Sequence, residues 1–231
     1  MTPSFANNFV DLLKQLITTP SLSRNEDKTA SIIASFIEQQ GMLVNRSGNN
    51  VWVKNKHYNI AKPTVLLNSH HDTVKPNAGY TRDPYQADVA DGKVFGLGSN
   101  DAGGALVSLL ATFLIFYERN DLKFNIVFAA TAEEEISGKG GIESIWFALP
   151  PIAFAIVGEP TGMQMAIAEK GLLVLDCHAR GKPGHAAREE GVNAIYESLK
   201  DIDWFRTYSF PRTSAMLGAI KMTVTAIHAG Q

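Results

Sequence analysis

The chain has 231 residues, 45% hydrophobic and 19% charged, which fits a soluble globular protein with one large domain, or one plus a small second. A formal net charge of −2 and a pI near 6.3 give no electrostatic footprint for nucleic acid or an anionic membrane. One cysteine, Cys177, excludes a disulfide within the chain and suits a reducing compartment.

The N-terminal MTPSFANNFVDLL lacks a basic region followed by a long apolar core, so the expected location is the cytoplasm. Apolar residues at Phe5, Phe9, Leu12, Leu13, Leu16 and Ile17 predict a helix with one buried stripe, stopped by Thr19 and Pro20. Ser23 and Glu26 read as a capping box for a second helix, with Ile32, Ile33, Phe36 and Ile37 as its core face and Gly41 as its end. Asn50 to Lys54 reads as a short strand and His57 to Asn59 as the turn after it.

Thr64 to Leu67 is apolar and β-branched, and predicts a buried strand with His70, His71 and Asp72 at its carboxyl end. Alternation puts His70 and Asp72 on one face and His71 on the other. His70 then suits a metal ligand and Asp72 its orienting carboxylate, since a ligand histidine needs a partner on its second ring nitrogen. His71 reads as structural. Arg82 to Tyr85 reads as surface loop. VFGLGSND (94–101) fails as a dinucleotide fingerprint, because Asp101 stands where a third glycine is required. Asp101 instead is expected to open a helix over Ala102 to Tyr117. Its apolar part, Ala105 to Tyr117, is too short to span a bilayer.

FNIVFAATAEEEISG (124–138) is a second buried strand, ending in Glu133, Glu134 and Glu135. Three adjacent carboxylates repel unless a cation or shared proton relieves them; alone, the cluster reads equally well as an acidic turn. IAFAIVGEP (152–160) is a third such strand and ends in Glu159. Beyond it, Met165 to Ala168, Leu172 to Ala179 and Ala215 to His228 read as strands, and Glu189 to Trp204 as a helix. Cys177 would be a buried strand thiol. His185 lies in the loop RGKPGHAA (180–187). These C-terminal elements suggest a small α+β unit with a boundary near Glu169 to Gly171.

The expected fold is α/β: a mostly parallel sheet flanked by helices, with its strand ends along one edge. One histidine with several carboxylates suits Zn²⁺, Mn²⁺ or Co²⁺, and the surplus of donors suggests two metals.

Five segments, SHHDTV, GLGSNDAGG, TAEEEISG, VGEPTG and GKPGHAA, occur in an order that resembles the di-zinc metallopeptidase family of acetylornithine deacetylase, succinyl-diaminopimelate desuccinylase, aminoacylase and glutamate carboxypeptidase. The resemblance runs from about Leu12 to the chain end. It implies a zinc-exopeptidase-like catalytic domain over 1–169 and a lid or dimerisation domain over 170–231. It implies two Zn, with Co or Mn as substitutes. His70, Glu159 and Glu135 would be metal ligands, Asp101 the bridging carboxylate, Glu134 the general base and Asp72 the orienter of His70. His185 would serve a partner subunit's site by steadying the oxyanion. The activity implied is removal of the N-acyl group from an amino acid, with N-acetyl- or N-succinyl-L-ornithine of arginine biosynthesis as first choice. A dipeptidase or carboxypeptidase of the same family is the alternative. The implied partners are a small-molecule substrate and a second copy, with no nucleic acid and no membrane. Family members return from the lid to the catalytic domain, bringing one more metal-binding histidine. These 231 residues end before such a return, so either the sequence is a fragment, with non-catalytic metal binding or dimerisation as the fallback role, or the second metal site lacks a ligand.

Overall fold

Phe9, Leu12, Leu13, Leu16 and Ile17 recur at helical spacing, and they form the buried stripe of α1 (Pro3–Ile17). The computed structural model describes residues 3–188 and 190–229. The chain divides into two units, Met1–Met163 and Gln164–Gln231.

In the first unit, α2 (Asp27–Glu38) buries Ala30, Ile33, Ala34 and Ile37. The expected capping box is absent. Glu26 precedes the helix without a side-chain cap bond. Ser23 instead donates to Asp72, and Glu26 accepts from three other donors. Both side chains find partners in the sheet's end, and Glu26 is buried there, which outcompetes a local cap.

A five-stranded sheet follows, comprising β1 (Asn45–Ser47), β2 (Asn50–Lys54), β3 (Thr64–His70), β6 (Asn125–Thr131) and β7 (Phe154–Val157). A separate two-residue hairpin joins β4 (Val89–Ala90) to β5 (Lys93–Val94). The sheet order is β1-β2-β6-β3-β7, with β3 parallel to β6 and β7, and the β1–β2 hairpin added antiparallel to β6. Strand alternation sorts the core into two layers. Val51, Val53, Val65, Leu67, Ile126 and Phe128 pack with α1, α2 and α3 (Ala105–Tyr117). Trp52, Leu66, Val127 and Ala129 pack with Ile145 of α4 (Ile142–Ile145) and with Leu149.

The register levels the strand ends. His70 lies opposite Thr131, and Gly158, just past β7, donates its N–H to Asn68 O at 2.7 Å. A Cβ on Gly158 would sit 2.9 Å from Leu109 Cδ1 and 3.0 Å from Ala105 Cβ, so only glycine lets the strand end approach α3.

The helix expected from Ala102 begins only at Ala105. Residues Ser99–Gly104 form a wide turn in which Asp101 and Ala102 leave helical geometry, with a cis peptide between them. Gly98 enters this turn at φ 76, where its missing Cβ avoids Thr73 Cγ2. Asp101 is thereby placed beside His70 and not at a helix N-terminus. Turn and helix together, Ser99–Phe116, are apolar enough, and at 18 residues long enough, to cross a membrane by length and composition alone. Leu106, Val107, Leu110 and Phe113 of this stretch lie in the core.

Among the described residues the second unit holds one helix, α5 (Ala194–Thr207), capped by Asn193, whose Oδ1 accepts from Ile195 N–H. The expected helix start, Glu189, lies outside the described residues. Residues 165–168, 172–179 and 215–228 are not strands; two isolated bridges, Lys182 to Val192 and Ser214 to Gly218, lie nearby. Alternation makes a strand only where a neighbouring edge and a covering layer exist, and here Leu172 is 89% exposed. Cys177 is likewise exposed, which corrects the buried thiol. The expected α+β lid is, among the described residues, a helix with segments that are neither helix nor strand.

Candidate metal centre

The level strand ends bring the acidic residues to one histidine. His70 is 1% exposed, and its Nε2 lies 3.1 Å from Asp101 Oδ1, 3.7 Å from Glu159 Oε2 and 3.8 Å from Glu134 Oε2. His70, Asp101 and Glu159 can each offer one ligand atom, all within 4.8 Å of one another. Each comes from a different element: the end of β3, the wide turn and the segment after β7.

Asp72 is the buried hub beneath them. Its Oδ1 lies 3.3 Å from His70 Nδ1, and the His70 ring also meets Asp72 O at 3.1 Å. Asp72 Oδ1 accepts from Glu134 N–H at 3.1 Å, and Oδ2 from Glu135 N–H at 3.2 Å and Ser23 Oγ at 2.7 Å. One carboxylate thus holds the histidine ring and the backbone of the acidic turn.

The triplet divides by direction. Glu133 adopts φ 54 and turns its side chain away, 3.9 Å from Arg24 Nε and within reach of Gly140 N–H. A Cβ on Gly138 or Gly140 would collide with that carboxylate. Glu134 faces His70, while Glu135 is half-buried and bound through its N–H to Asp72. His185 belongs to the second unit, where its Nδ1 accepts from Ala187 N–H. His71 is held between Thr29 Oγ1 and Asn49 O, each at 2.9 Å, as a structural residue would be.

Sequence reasoning missed three supports. Glu26 and Ser23 have the residue types and spacing of a helix cap, which masks this role. Asn50, wholly buried, accepts from Ala132 N–H and donates to Gly140 O, bracing both ends of the acidic turn. The signal was an Asn49-Asn50 pair opening an apolar strand.

The electrostatics favour a cation among these carboxylates. Burial, then the charge of Asp101, pushes the Glu135 carboxyl up. Burial also raises Glu159, with Glu134, Asp101 and Glu135 adding to it. Among the described residues no lysine or arginine pairs with Asp101, Glu134, Glu135 or Glu159. One imidazole among carboxylates is a donor set that suits zinc, manganese or cobalt, and the residues present fit such an ion.

Burial opposes charge on His70, but its bond to Asp72 and the fields of Glu159, Asp72 and Glu134 outweigh it and lift its pKa to about 9. Burial opposes charge on Asp72 as well, yet bonds from His70, Ser23 and Glu134 N–H hold it below its usual range. In the metal-free chain the stabilisation from His70 is full below its unfolded pKa and is lost as pH rises through about 9. The stabilisation from Asp72 is present above its unfolded pKa and lost as pH falls through its depressed value. A metal on His70 Nε2 displaces that ring's proton. Zinc uptake near neutral pH should therefore release about one proton from this ring, in addition to any other. Calorimetry in buffers of differing ionisation enthalpy measures this, and the signal should shrink in His70→Asn.

The model of peptidase family M20/M25/M40 matches residues 66–226. An acetylornithine deacetylase of Salmonella heidelberg is 35% identical over 240 residues, covering 92% of this chain and 62% of the relative. The solved structure of a tripeptidase from Staphylococcus aureus aligns with TM-score 0.57 at 22% identity, over 85% of this chain and 56% of that one. A Bacillus subtilis protein described as a dinuclear metal binding peptidase aligns with TM-score 0.52 at 16% identity, over 68% of this chain and 43% of that one. The chain spans 52% to 62% of the length of the curated relatives it matches.

Proposed function

The chain belongs to peptidase family M20/M25/M40, and from that membership we propose that it forms the metal-binding part of a hydrolase that removes the N-acyl group from an amino acid. The carrying observation is the meeting of His70, Asp101 and Glu159 within 4.8 Å, with Glu134 beside them. N-acetyl-L-ornithine is the preferred substrate, supported by curated relatives at 31% to 35% identity that are named acetylornithine deacetylase. N-succinyl-L-ornithine is the next choice. Such a reaction belongs to arginine biosynthesis, and we place it in the cytoplasm.

His70, Asp101 and Glu159 would hold one ion. Glu135, whose charge burial and the nearby Asp101 carboxylate both oppose, would serve a second with Asp101 shared. A bound zinc ion polarises a scissile carbonyl and acidifies water. The residues do the rest. Asp72 keeps the His70 ring oriented. Glu134 takes a proton from the attacking water at its carboxylate, and the water oxygen bonds to the carbonyl carbon. When the C–N bond breaks, Glu134 passes that proton to the departing nitrogen, and the water's second proton leaves the new carboxylic acid for the amine, giving a carboxylate and an ammonium group. His185 would donate to the oxyanion from a second copy of the chain, in a homodimer formed by the second unit.

The test is release of ornithine from N-acetyl- and N-succinyl-ornithine, alongside a few dipeptides, with added zinc and with a chelator. Chelator-sensitive release from an acyl-ornithine is expected. Cleavage of dipeptides alone would replace the substrate with a peptide. No turnover would favour a second reading, suggested by the 52% to 62% coverage: a metal-binding part that needs further polypeptide for chemistry.

A further inference from the structure

Glu26 is wholly buried, and among the described residues it has no lysine or arginine partner. Its carboxylate is satisfied by three N–H donors. Oε1 accepts from Arg24 N–H at 2.7 Å and from Glu133 N–H at 3.2 Å, and Oε2 accepts from Asn49 Nδ2 at 2.8 Å. The next two amides, of Glu134 and Glu135, go to Asp72. Three consecutive N–H groups of the acidic triplet are thus held by two buried carboxylates from distant parts of the chain. Glu133 needs such a hold, because φ 54 is unfavourable for a residue with a Cβ.

We propose that Glu26 is a positioning residue: by gripping the Glu133 amide it keeps Glu133 left-handed, its side chain turned to Arg24 and Gly140, and so aims Glu134 at His70. The grip acts at the start of the turn and Asp72 acts on its next two amides, so neither replaces the other. This inference rests on the reading of Glu134 as the base, but its structural half stands apart from catalysis.

Amide hydrogen exchange on the full chain separates the two. In Glu26→Ala, the Glu133 amide should exchange about tenfold faster or more, as expected for loss of a bond to a charged acceptor. Amides in Leu106 to Phe113 should stay protected. Glu26→Gln should restore most protection, because its Oε1 can still accept from both backbone donors while the Asn49 amide rotates to accept from the new N–H. With zinc and N-acetyl-ornithine, Glu26→Ala should lower kcat with KM little changed, and Glu26→Gln should recover it. Should Glu26→Ala fail to fold, Asn49→Ala removes only the Oε2 bond and should loosen the same amide by a smaller factor. Unchanged protection at Glu133 in whichever of these folds, or equal loosening in α3, overturns the proposal. A wild-type chain without hydrolysis, together with local loosening at Glu133, would instead overturn the catalytic reading and leave the grip established.

Discussion

Glu134→Gln should lower turnover of N-acetyl-ornithine by roughly 10²- to 10⁴-fold and leave bound zinc unchanged. The glutamine fills the same volume and can still hydrogen-bond, but it cannot take and return a proton. Glu134 lies 3.8 Å from His70 Nε2 with its side chain 55% exposed, close to the donor cluster yet open to a substrate. It is not among the three residues whose ligand atoms come within 4.8 Å, so the metal should survive its loss. Glu133→Gln is the control. That side chain faces Arg24 and Gly140, and its replacement should leave turnover within a few-fold of the parent. Steady-state rates with metal analysis of the same samples make the measurement. Retained turnover in Glu134→Gln would sink the assignment of the base.

The largest loss of stability is expected at Asp72. Asp72→Ala leaves Ser23 Oγ and the Glu134 and Glu135 N–H groups without their acceptor, and leaves the His70 ring only the residue 72 backbone O. Each buried donor left unpaired costs about 1–3 kcal/mol. Water entering the space recovers part of that, so a net loss of about 3–5 kcal/mol is expected, as for breaking a buried ionic network. Asp72→Asn keeps one oxygen and should cost less. Urea unfolding of the metal-free chain near neutral pH, where Asp72 and His70 are both charged in the folded state, reads the difference. A loss below about 1 kcal/mol in Asp72→Ala would mean that the three orphaned donors find other acceptors.

What the sequence shows of this protein is its local periodicities. Thr64 to Leu67 and Ile126 to Phe128 are legible as buried strands because both faces are covered, and the polar residues that follow them mark where the sheet ends. The shared face of His70 and Asp72 follows from two-residue spacing, and their 3.3 Å approach reflects it. Asp101 is different. Its presence near the site is implied by the resemblance that GLGSNDAGG carries, but its backbone could not be read, because a wide turn inside an apolar helical pattern looks like one more helical turn. Ser23 and Glu26 misled for a chemical reason. The residue types that cap a helix are acceptors of backbone N–H bonds, and here they accept from, or donate to, groups over 40 residues away as well as nearby ones. The runs after Gly162 alternate as strands do, yet alternation records only a disposition to be half-covered. Nothing among the described residues of that unit supplies the cover.

The sheet order has a consequence for how the chain assembles. β6 sits between β2 and β3, which precede it in sequence and do not pair with each other. During synthesis the β1–β2 hairpin can close early, but neither β2 nor β3 can join the sheet until Asn125–Thr131 has emerged. From His70 to Thr131 the ribosome adds 131 − 70 = 61 residues, which takes about 3–12 s at typical rates. Through that interval His70 and Asp72 hang on an unpaired strand, and the amides that Asp72 will hold do not yet exist. The centre is therefore late in the order of assembly: it waits for β6, then for β7, which completes the sheet, and for Glu159 just beyond it.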